Sequence, residues 1–483
     1  MQCLLYDYSD KRKITQIIME PLKISDIVKA TKGKLIQGQK KLQVLNISID
    51  SRTLKVGDMF IAIKGKLTNG HTYVPEVLQK GASSIIVEDE RVEFEQWKTI
   101  SIIKVENTTR ALGDIARYYR SKFSPKVIAI TGSNGKTTTK EMIDQILKTK
   151  HNTVTAPASY NNDIGVPLTI LQINNETGIL VLEMEMNELG GIRRLCDIAQ
   201  PDIGVITNIG DTHLEFLYTR DNVAQEKSEL LEAIHNKGTA ILNADDSAII
   251  EMWERYKFKK VVLFGIDKFA NIYANKIVNL NEQGTEFLVC NKYKCRLNIP
   301  GVFNIYNALA AISVAREMNC PFEEIIPALE AFKPALMRMQ KIEMGKITLF
   351  NDSFNANPQS VMAALETFDK FECSGKKVVV LGDMLELGHR SNELHQNIGK
   401  NIPDSISILI TVGKQAKQIA EGAKTFNKKL DGIFVFDRIQ EVTDKLVDIL
   451  ANNDKILIKG SRLMKLEEIV NKLREHYKDA DKR

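Results

Sequence analysis

The stretch VIAITGSNGKTTTKEM at 127–142 restricts the fold more than any other part of this 483-residue chain. Val127–Ile130 reads as a short buried strand, a glycine-containing turn follows, and Lys136-Thr137 opens a helix. In that helix Met142, Ile143, Ile146 and Leu147 recur at helical spacing. Further short apolar runs alternate with helical patterns after it, and that alternation argues for a largely parallel sheet with helices on its faces. The turn also points to chemistry. Such a turn presents backbone N–H groups to anionic oxygens, with the positive end of the helix dipole behind them. Lys136 is placed to reach β- and γ-phosphates, and the Thr137 hydroxyl to ligate Mg²⁺. Gly132 and Gly135 let the backbone approach without a Cβ in the way, and Ser133, Asn134 and Thr138 complete the candidate ATP loop. The general GxxxxGK[ST] pattern would place its first glycine at position 130, where this chain has Ile130. The loop argues for nucleotide binding and leaves open what is done with the phosphate.

The flanking sequence organises into three segments, the number that 483 residues allow. From Met19 the chain carries a helical pattern over Ile24–Ala30. Short strand candidates follow at Leu45–Ile49, Met59–Ile63 and Ser84–Val87. A helix marked by Leu112, Ile115, Ala116 and Tyr119 then closes a small α/β domain. The second segment continues past the loop with apolar runs at Ile179–Leu182, Gly204–Thr207, Ala240–Leu242 and Val261–Phe264 and ends on a helix at Ala308–Met318. The third begins near Lys333-Pro334, with strand candidates at Ile347–Phe350, Lys377–Leu381, Ser407–Val412, Gly432–Phe436 and Lys455–Ile458. The expected fold is α/β in three domains. These are a small N-terminal α/β domain (19–123), a central P-loop-type ATPase domain with a mainly parallel sheet (124–332) and a C-terminal Rossmann-like, doubly wound domain (333–483). Residues 1–18 read as an extension of mixed polarity.

Composition narrows the partners. With 66 basic and 61 acidic residues the net charge is only +5, so no nucleic-acid or membrane footprint stands out. No apolar run approaches the roughly 18 residues that cross a bilayer, and the N-terminus does not read as a secretion signal. A cytoplasmic protein is expected, a monomer acting on small molecules. Six scattered cysteines read as reduced thiols, because Cys290 and Cys295 are too loosely spaced for a zinc pair.

Taken with further ordered motifs, TGSNGKTTTK resembles the ATP loop of the Mur ligases, ATP-dependent amide-bond ligases whose loop also lacks the outer glycine. The resemblance runs from about residue 19 to 470. IDSRTLKVGDMFIAIKG at 49–65 resembles the uridine-nucleotide-binding region, which implicates Ser51 and Arg52. SYNNDIGVPLTIL at 159–171 resembles the segment that contacts the nucleotide-sugar substrate, implicating Asn161 and Asn162. VLEMEMNELGGI at 181–192 implies that Glu183 ligates Mg²⁺. ITNIGDTHLEFL at 206–217 implies that His213 serves a second Mg²⁺. Lys227, fourteen residues later, stands where the family carries a carbamylated lysine. NIYNALAAISVA at 304–315 implies that Asn304 and Asn307 approach the ATP base, and Arg338 is the candidate third-domain cation for the γ-phosphate. FNDSFNANPQS at 350–360 and VLGDMLELG at 380–388 resemble the branch that adds D-alanyl-D-alanine to UDP-N-acetylmuramoyl-tripeptide. In that branch Asn355, Asn357, Lys459 and Arg462 would meet the dipeptide.

The chain departs from the family pattern at six places. Glu185 and Met337 stand where glycine is usual, Phe303 replaces a common His, Asn351 an Asp, Phe354 a Tyr and Asn69 an Asp. Taken singly, Glu183 is equally a solvated strand-end carboxylate, whereas His213 reads more readily as a hydrogen-bonded loop histidine and Lys227 as part of a solvated helix face. The asparagines are equally caps or turn formers, and Lys459 and Arg462 equally decorate a helix start. A ligase of the same superfamily with another amino substrate, and a nucleotide-binding regulator without ligase chemistry, stay open as alternatives.

Overall fold

A computed structural model describes residues 19–65, 68–88, 99–267, 269–426 and 429–480; the extension expected at 1–18 lies outside them. The chain divides into two compact units. One holds the residues up to Ala129 together with Lys150–Gly204, the other Ile130–Thr149 together with Val205 onward. The division falls inside the strands Lys126–Thr131 and Ile203–Ile206.

In the first unit a five-stranded sheet runs in the order Lys34–Gln37, Ser101–Lys104, Ser84–Val87, Met59–Ile61, Ile47–Ser48. All its pairs are parallel except the edge strand Lys34–Gln37. The strand expected over Leu45–Ile49 is interrupted. Val44 pairs antiparallel with Leu22 while Ile47 pairs parallel with Met59, so the chain leaves one sheet for another at Leu45-Asn46. Asn107 caps the helix Thr108–Arg120 by accepting the Arg110 N–H at 2.8 Å. That helix buries Leu112, Ile115, Ala116 and Tyr119, of which Leu112 and Ile115 each stabilise the fold by roughly 1.5–3 kcal/mol. The Tyr119 hydroxyl donates to the Ile173 carbonyl at 2.7 Å, so its polar end is satisfied. Further along, Thr153–Thr155 pairs parallel with Ile179–Glu183.

In the second unit the strands Thr239–Asn243 and Lys260–Gly265 are parallel. Ile272–Asn279 starts parallel to the latter and then turns into an antiparallel meander with Thr285–Val289 and Tyr293–Leu297. The sequence reading does not anticipate this meander, because its strands carry polar residues on one face and show no continuous apolar run. Further on, a six-stranded sheet runs Gln340–Met344, Ile347–Asp352, Lys455–Lys459, Lys377–Gly382, Ile408–Val412, Gly432–Phe436. Five of these strands are parallel; Gln340–Met344 is an antiparallel edge. Alternate residues feed two cores. Phe350, Val379, Leu381, Leu409 and Leu457 face one, and Val378, Val380, Ile408, Ile410, Ile456 and Ile458 the other. The first of these cores also takes in Ile206, Leu214, Leu231, Ala240 and Leu242, so the third segment shares a hydrophobic cluster with the second.

The loop after Lys377–Gly382 is held from beneath. The backbone N–H of Met384 donates to Nε2 of the fully buried His395 at 3.0 Å, and Nδ1 lies 2.7 Å from the Ser391 carbonyl. That pairing requires the neutral Nδ1–H tautomer. Burial lowers the His395 imidazole below its ordinary value, against the raising effects of the Ser391 carbonyl and the Asp383 charge. A histidine whose folded value is depressed contributes stability that is fully present above about 6.5 and is lost as pH falls through the folded value. The thermal midpoint is therefore expected to fall on acidification below about 6.5. His395→Gln, which does not titrate, should show a shallower fall over the same range. Identical pH profiles for the two proteins would exclude this histidine as the cause.

Candidate active site

The loop Gly132–Thr138 takes its shape from the neighbouring segment Thr207–Gly210. The Ser133 N–H donates to the Asn208 carbonyl and the Asn134 N–H to Asn208 Oδ1, both at 2.9 Å. Asn208 Nδ2 and Thr207 Oγ1 donate in return to the Asn134 carbonyl, at 3.0 and 2.6 Å. Ser133 Oγ accepts from the Gly210 N–H at 2.8 Å. The helix Lys136–Leu147 then starts on Gly135, which offers no side-chain cap, and its first internal bond is Thr139 N–H to the Gly135 carbonyl. The amides of its opening turn are the donors a helix end leaves to an anion. Lys136 is buried, and its ammonium donates to the Gly132 carbonyl at 2.8 Å.

Gly135 has φ +83°, and a Cβ built there falls well inside van der Waals contact distance of Asn307 Oδ1. The same Asn307 oxygen accepts from Thr139 at 3.3 Å, while its amide donates to Asn304 Oδ1 and Asn304 donates to the Pro300 carbonyl. Asn304 and Asn307 therefore brace the loop from behind. Gly135→Ala combines a left-handed φ with a blocked Cβ, and should weaken ATP binding by at least about tenfold with roughly 1–2 kcal/mol of lost stability. Nucleotide titration and thermal melts check both, and unchanged affinity would remove the loop's shape from the argument.

The third segment reaches this loop within the same unit. Arg338 Nη2 donates to Thr137 Oγ1 at 2.9 Å. Asn357 caps the helix Pro358–Asp369 through a capping box with Ser360, and its Nδ2 donates to Asn134 Oδ1 at 2.7 Å. Gln359 Oε1 accepts from Asn134 Nδ2 at 3.3 Å. Asn355 keeps its side-chain oxygen on the Ala356 N–H. Lys459 is 3% exposed, and its ammonium is held by Asp352 at 2.6 Å and by the Asn355 carbonyl at 3.0 Å. Arg462 pairs with Glu467. Both cations expected to meet a dipeptide carboxylate thus have internal carboxylate partners.

His213 opens the short helix Leu214–Leu217 in a left-handed conformation (φ +55°), and its Nδ1 lies 2.7 Å from Glu386 Oε2. Glu386 is itself left-handed (φ +63°), and its carbonyl accepts the Glu215 N–H at 2.9 Å. A carboxylate on one imidazole nitrogen is the usual way a ligating histidine is oriented. Thr219 caps the helix Arg220–Ile234, on which Lys227 and Glu226 are fully buried. Lys227 Nζ lies 2.6 Å from Glu226 Oε2, at an angle too oblique for a hydrogen bond, and makes none elsewhere.

In the first unit Glu183 ends its strand buried. Asn161 Nδ2 donates to Glu183 Oε1 at 2.8 Å and to Glu185 Oε2 at 3.0 Å, so one amide serves both carboxylates and accommodates the unusual Glu185. Asn162 Oδ1 accepts the N–H groups of Ile164 and Gly165, shaping the start of the helix Gly165–Ile170. Ser51 is buried with its hydroxyl 3.5 Å from Glu76, and Arg52 is exposed and paired with Asp50 at 2.7 Å. The Arg52 guanidinium holds the Asp50 carboxyl below the usual range, partly offset by burial.

The sequence reading missed Asn208, Gln359, Glu386 and Glu226. All four lie inside or beside motifs it quoted. The partners of Asn208, Gln359 and Glu386 come from distant segments, which no spacing rule reports, and Glu226 adjoins Lys227 itself. Among the described residues no three His, Cys, Asp or Glu side chains cluster as a metal site. Of the candidate donors in the second unit, Thr137 offers a hydroxyl, His213 an imidazole and Lys227 an amine, and the lysine suits a hard cation only once it carries oxygen. Nor is any helix among the described residues long and apolar enough to cross a membrane.

Three family models match the chain. They are the Mur ligase family catalytic domain over residues 43–120, the Mur ligase middle domain over 130–315, and the Mur ligase glutamate ligase domain over 337–462. The chain is 34% identical to the UDP-N-acetylmuramoyl-tripeptide–D-alanyl-D-alanine ligase of Bacillus subtilis, covering 94% of this chain and 98% of that protein. Among solved structures, MurF from Acinetobacter baumannii superposes with a TM-score of 0.86 at 30% identity, over 95% of this chain and all of that one. MurF from Thermotoga maritima, solved in complex with ADP, superposes with a TM-score of 0.79 at 27% identity, covering 90% and 98%.

Proposed function

Because the chain belongs to the Mur ligase family, we propose that it joins D-alanyl-D-alanine to UDP-N-acetylmuramoyl-tripeptide with conversion of ATP to ADP and phosphate. The product is the pentapeptide precursor of peptidoglycan. The observation that carries this reading is the hydrogen bond from Asn357, in the FNANP motif of the dipeptide-adding branch, to Asn134 in the phosphate loop. The motif that names the branch thus touches the loop that binds ATP.

A carboxylate and an amine do not condense in water, because the carboxylate oxygen is a poor leaving group. Phosphoryl transfer to the tripeptide carboxylate makes an acyl phosphate, the dipeptide amine attacks its carbonyl, and the tetrahedral intermediate expels phosphate. The load on the protein is charge neutralisation between two anions. Lys136 and the opening amides of its helix hold the β- and γ-phosphates. Arg338, already on Thr137 Oγ1, brings a third-segment cation to the γ-phosphate end. By the family resemblance, Thr137 and Glu183 would hold one Mg²⁺, and His213 and a carbamylated Lys227 a second. They would supply the charge neutralisation that phosphoryl transfer to a carboxylate needs. Glu386 keeps the His213 ring oriented.

The three-domain division at 19–123, 124–332 and 333–483 accompanies this reading. The first part takes the uridine nucleotide through Ser51 and Arg52, with Asn161 and Asn162 toward the sugar and peptide, and the second takes ATP. The third, Rossmann-like, takes the dipeptide through Asn355, Asn357, Lys459 and Arg462. A monomer working in the cytoplasm on small molecules, without nucleic acid, completes the assignment.

The test is phosphate release from ATP with UDP-N-acetylmuramoyl-tripeptide, with and without D-alanyl-D-alanine, and the products weighed by mass spectrometry. Release that requires the dipeptide, with a pentapeptide product, is expected. Release that is indifferent to the dipeptide, or none from ATP-binding protein, would overturn the assignment.

A further inference from the structure

Arg338 stands on a turn that is strained on both sides. Met337 (φ +61°) and Met339 (φ +47°) both occupy the left-handed region that favours glycine. Four hydrogen bonds clamp the turn. The Met337 N–H donates to Gln340 Oε1 at 3.2 Å, and its carbonyl accepts the Phe354 N–H at 3.2 Å. The Met339 N–H donates to Asp352 Oδ1 at 3.0 Å, and Asp352 Oδ2 is tied to the buried Lys459 at 2.6 Å. Strain of this kind persists only where the surroundings over-determine it. What the clamp delivers is the guanidinium of Arg338, whose carbon lies 4.2 Å from the centroid of the Phe354 ring while Nη2 donates to Thr137 Oγ1. Arg338 Nε is buried and makes no hydrogen bond, so the ring face is its main cover on that side.

We propose that Phe354 is a positioning residue for the ligation. Its ring fixes the plane of the Arg338 guanidinium so that the N–H edge faces the phosphate loop, and the Asp352–Lys459 pair holds the turn beneath it. The proposal rests on the reading of Arg338 as the cation that meets the transferred phosphate. An aromatic face attracts a guanidinium without using any of its donors, so the arginine is oriented and its N–H groups remain directed at oxygen. Lys459 supports this turn through Asp352.

The experiment is a steady-state comparison of wild type, Phe354→Leu, Phe354→Tyr, Arg338→Ala and the double variant Phe354→Leu/Arg338→Ala. Phe354→Leu is expected to lower kcat about tenfold with little change in KM for the uridine substrate, and Phe354→Tyr to restore wild-type kcat. In the Arg338→Ala background, Phe354→Leu should have no further effect. If Phe354→Leu does not fold, pentafluorophenylalanine at position 354 keeps the ring's size, reverses its quadrupole and should give the same loss. Wild-type kcat in a folded ring-altered variant, or an equal loss with and without Arg338, would overturn the platform. Wild-type kcat in Arg338→Ala would instead overturn the reading of Arg338.

Discussion

Lys136→Ala is expected to lower ATP-dependent formation of the pentapeptide by roughly 10²–10³-fold or more while leaving the fold intact. The lysine is the only side-chain cation within the loop 132–138, and it must offset charge that grows between a carboxylate and a phosphoryl group. Its structural contribution is smaller. In the protein it makes a charge-assisted hydrogen bond to the Gly132 carbonyl at 2.8 Å, worth about 1.5–3 kcal/mol. The loop is held mainly by Asn208, Thr207 and Gly210, which the substitution does not touch. Lys136→Arg should fail nearly as badly, because a planar fork does not replace a compact ammonium in a buried position. Single-turnover ligation with a thermal melt on the same sample separates lost chemistry from lost fold. Ligation near the wild-type rate in folded Lys136→Ala protein would remove the loop from the mechanism.

That loop was legible in the sequence because every element of it is local: an apolar strand, two glycines with no room for a side chain, and a helix opened by Lys-Thr. The parallel strands of the third segment were legible for a related reason. Lys377–Gly382 and Ile408–Val412 are buried along their whole length, so they read as continuous apolar runs and lie where those runs placed them. The meander at Ile272–Leu297 and the edge strand Gln340–Met344 were not, because exposed strands carry Lys, Glu and Asn on one face and lose the apolar signature. The order of motifs brought the candidate residues together by family resemblance, but their supporting contacts were invisible. Asn357 caps its own helix and also donates to Asn134, a dual use that no local pattern encodes. Glu386 meets His213 across 173 residues of sequence. Met337 shows the converse. The departure from glycine was visible in the sequence, but its meaning, a left-handed residue clamped beside Arg338, needed the backbone.

Lys227 carries the second large effect. A lysine and a glutamate, both fully buried 2.6 Å apart and without a hydrogen bond between them, are a poor ion pair, because desolvation of two charges is repaid only by good geometry. Carbamylation changes the balance. The neutral amine would add to carbon dioxide, forming an N–C bond and releasing one proton to solvent, and a nitrogen that repels Mg²⁺ as an ammonium would then carry two oxygen ligands. The carbamate and the Glu226 carboxylate would then be adjacent anions, tolerable in the interior only with a divalent cation close by. Protein equilibrated with ¹³C-bicarbonate should therefore give a carbamate carbon resonance that is absent from Lys227→Ala. In that variant ligation should fall by about 10²–10³-fold with the melting behaviour preserved. Lys227→Arg is expected to be as slow as the alanine variant, since a guanidinium stays charged and does not add carbon dioxide. Rapid turnover by the arginine variant, or full activity in wild-type protein that shows no carbamate signal, would return Lys227 to a purely structural role beside Glu226.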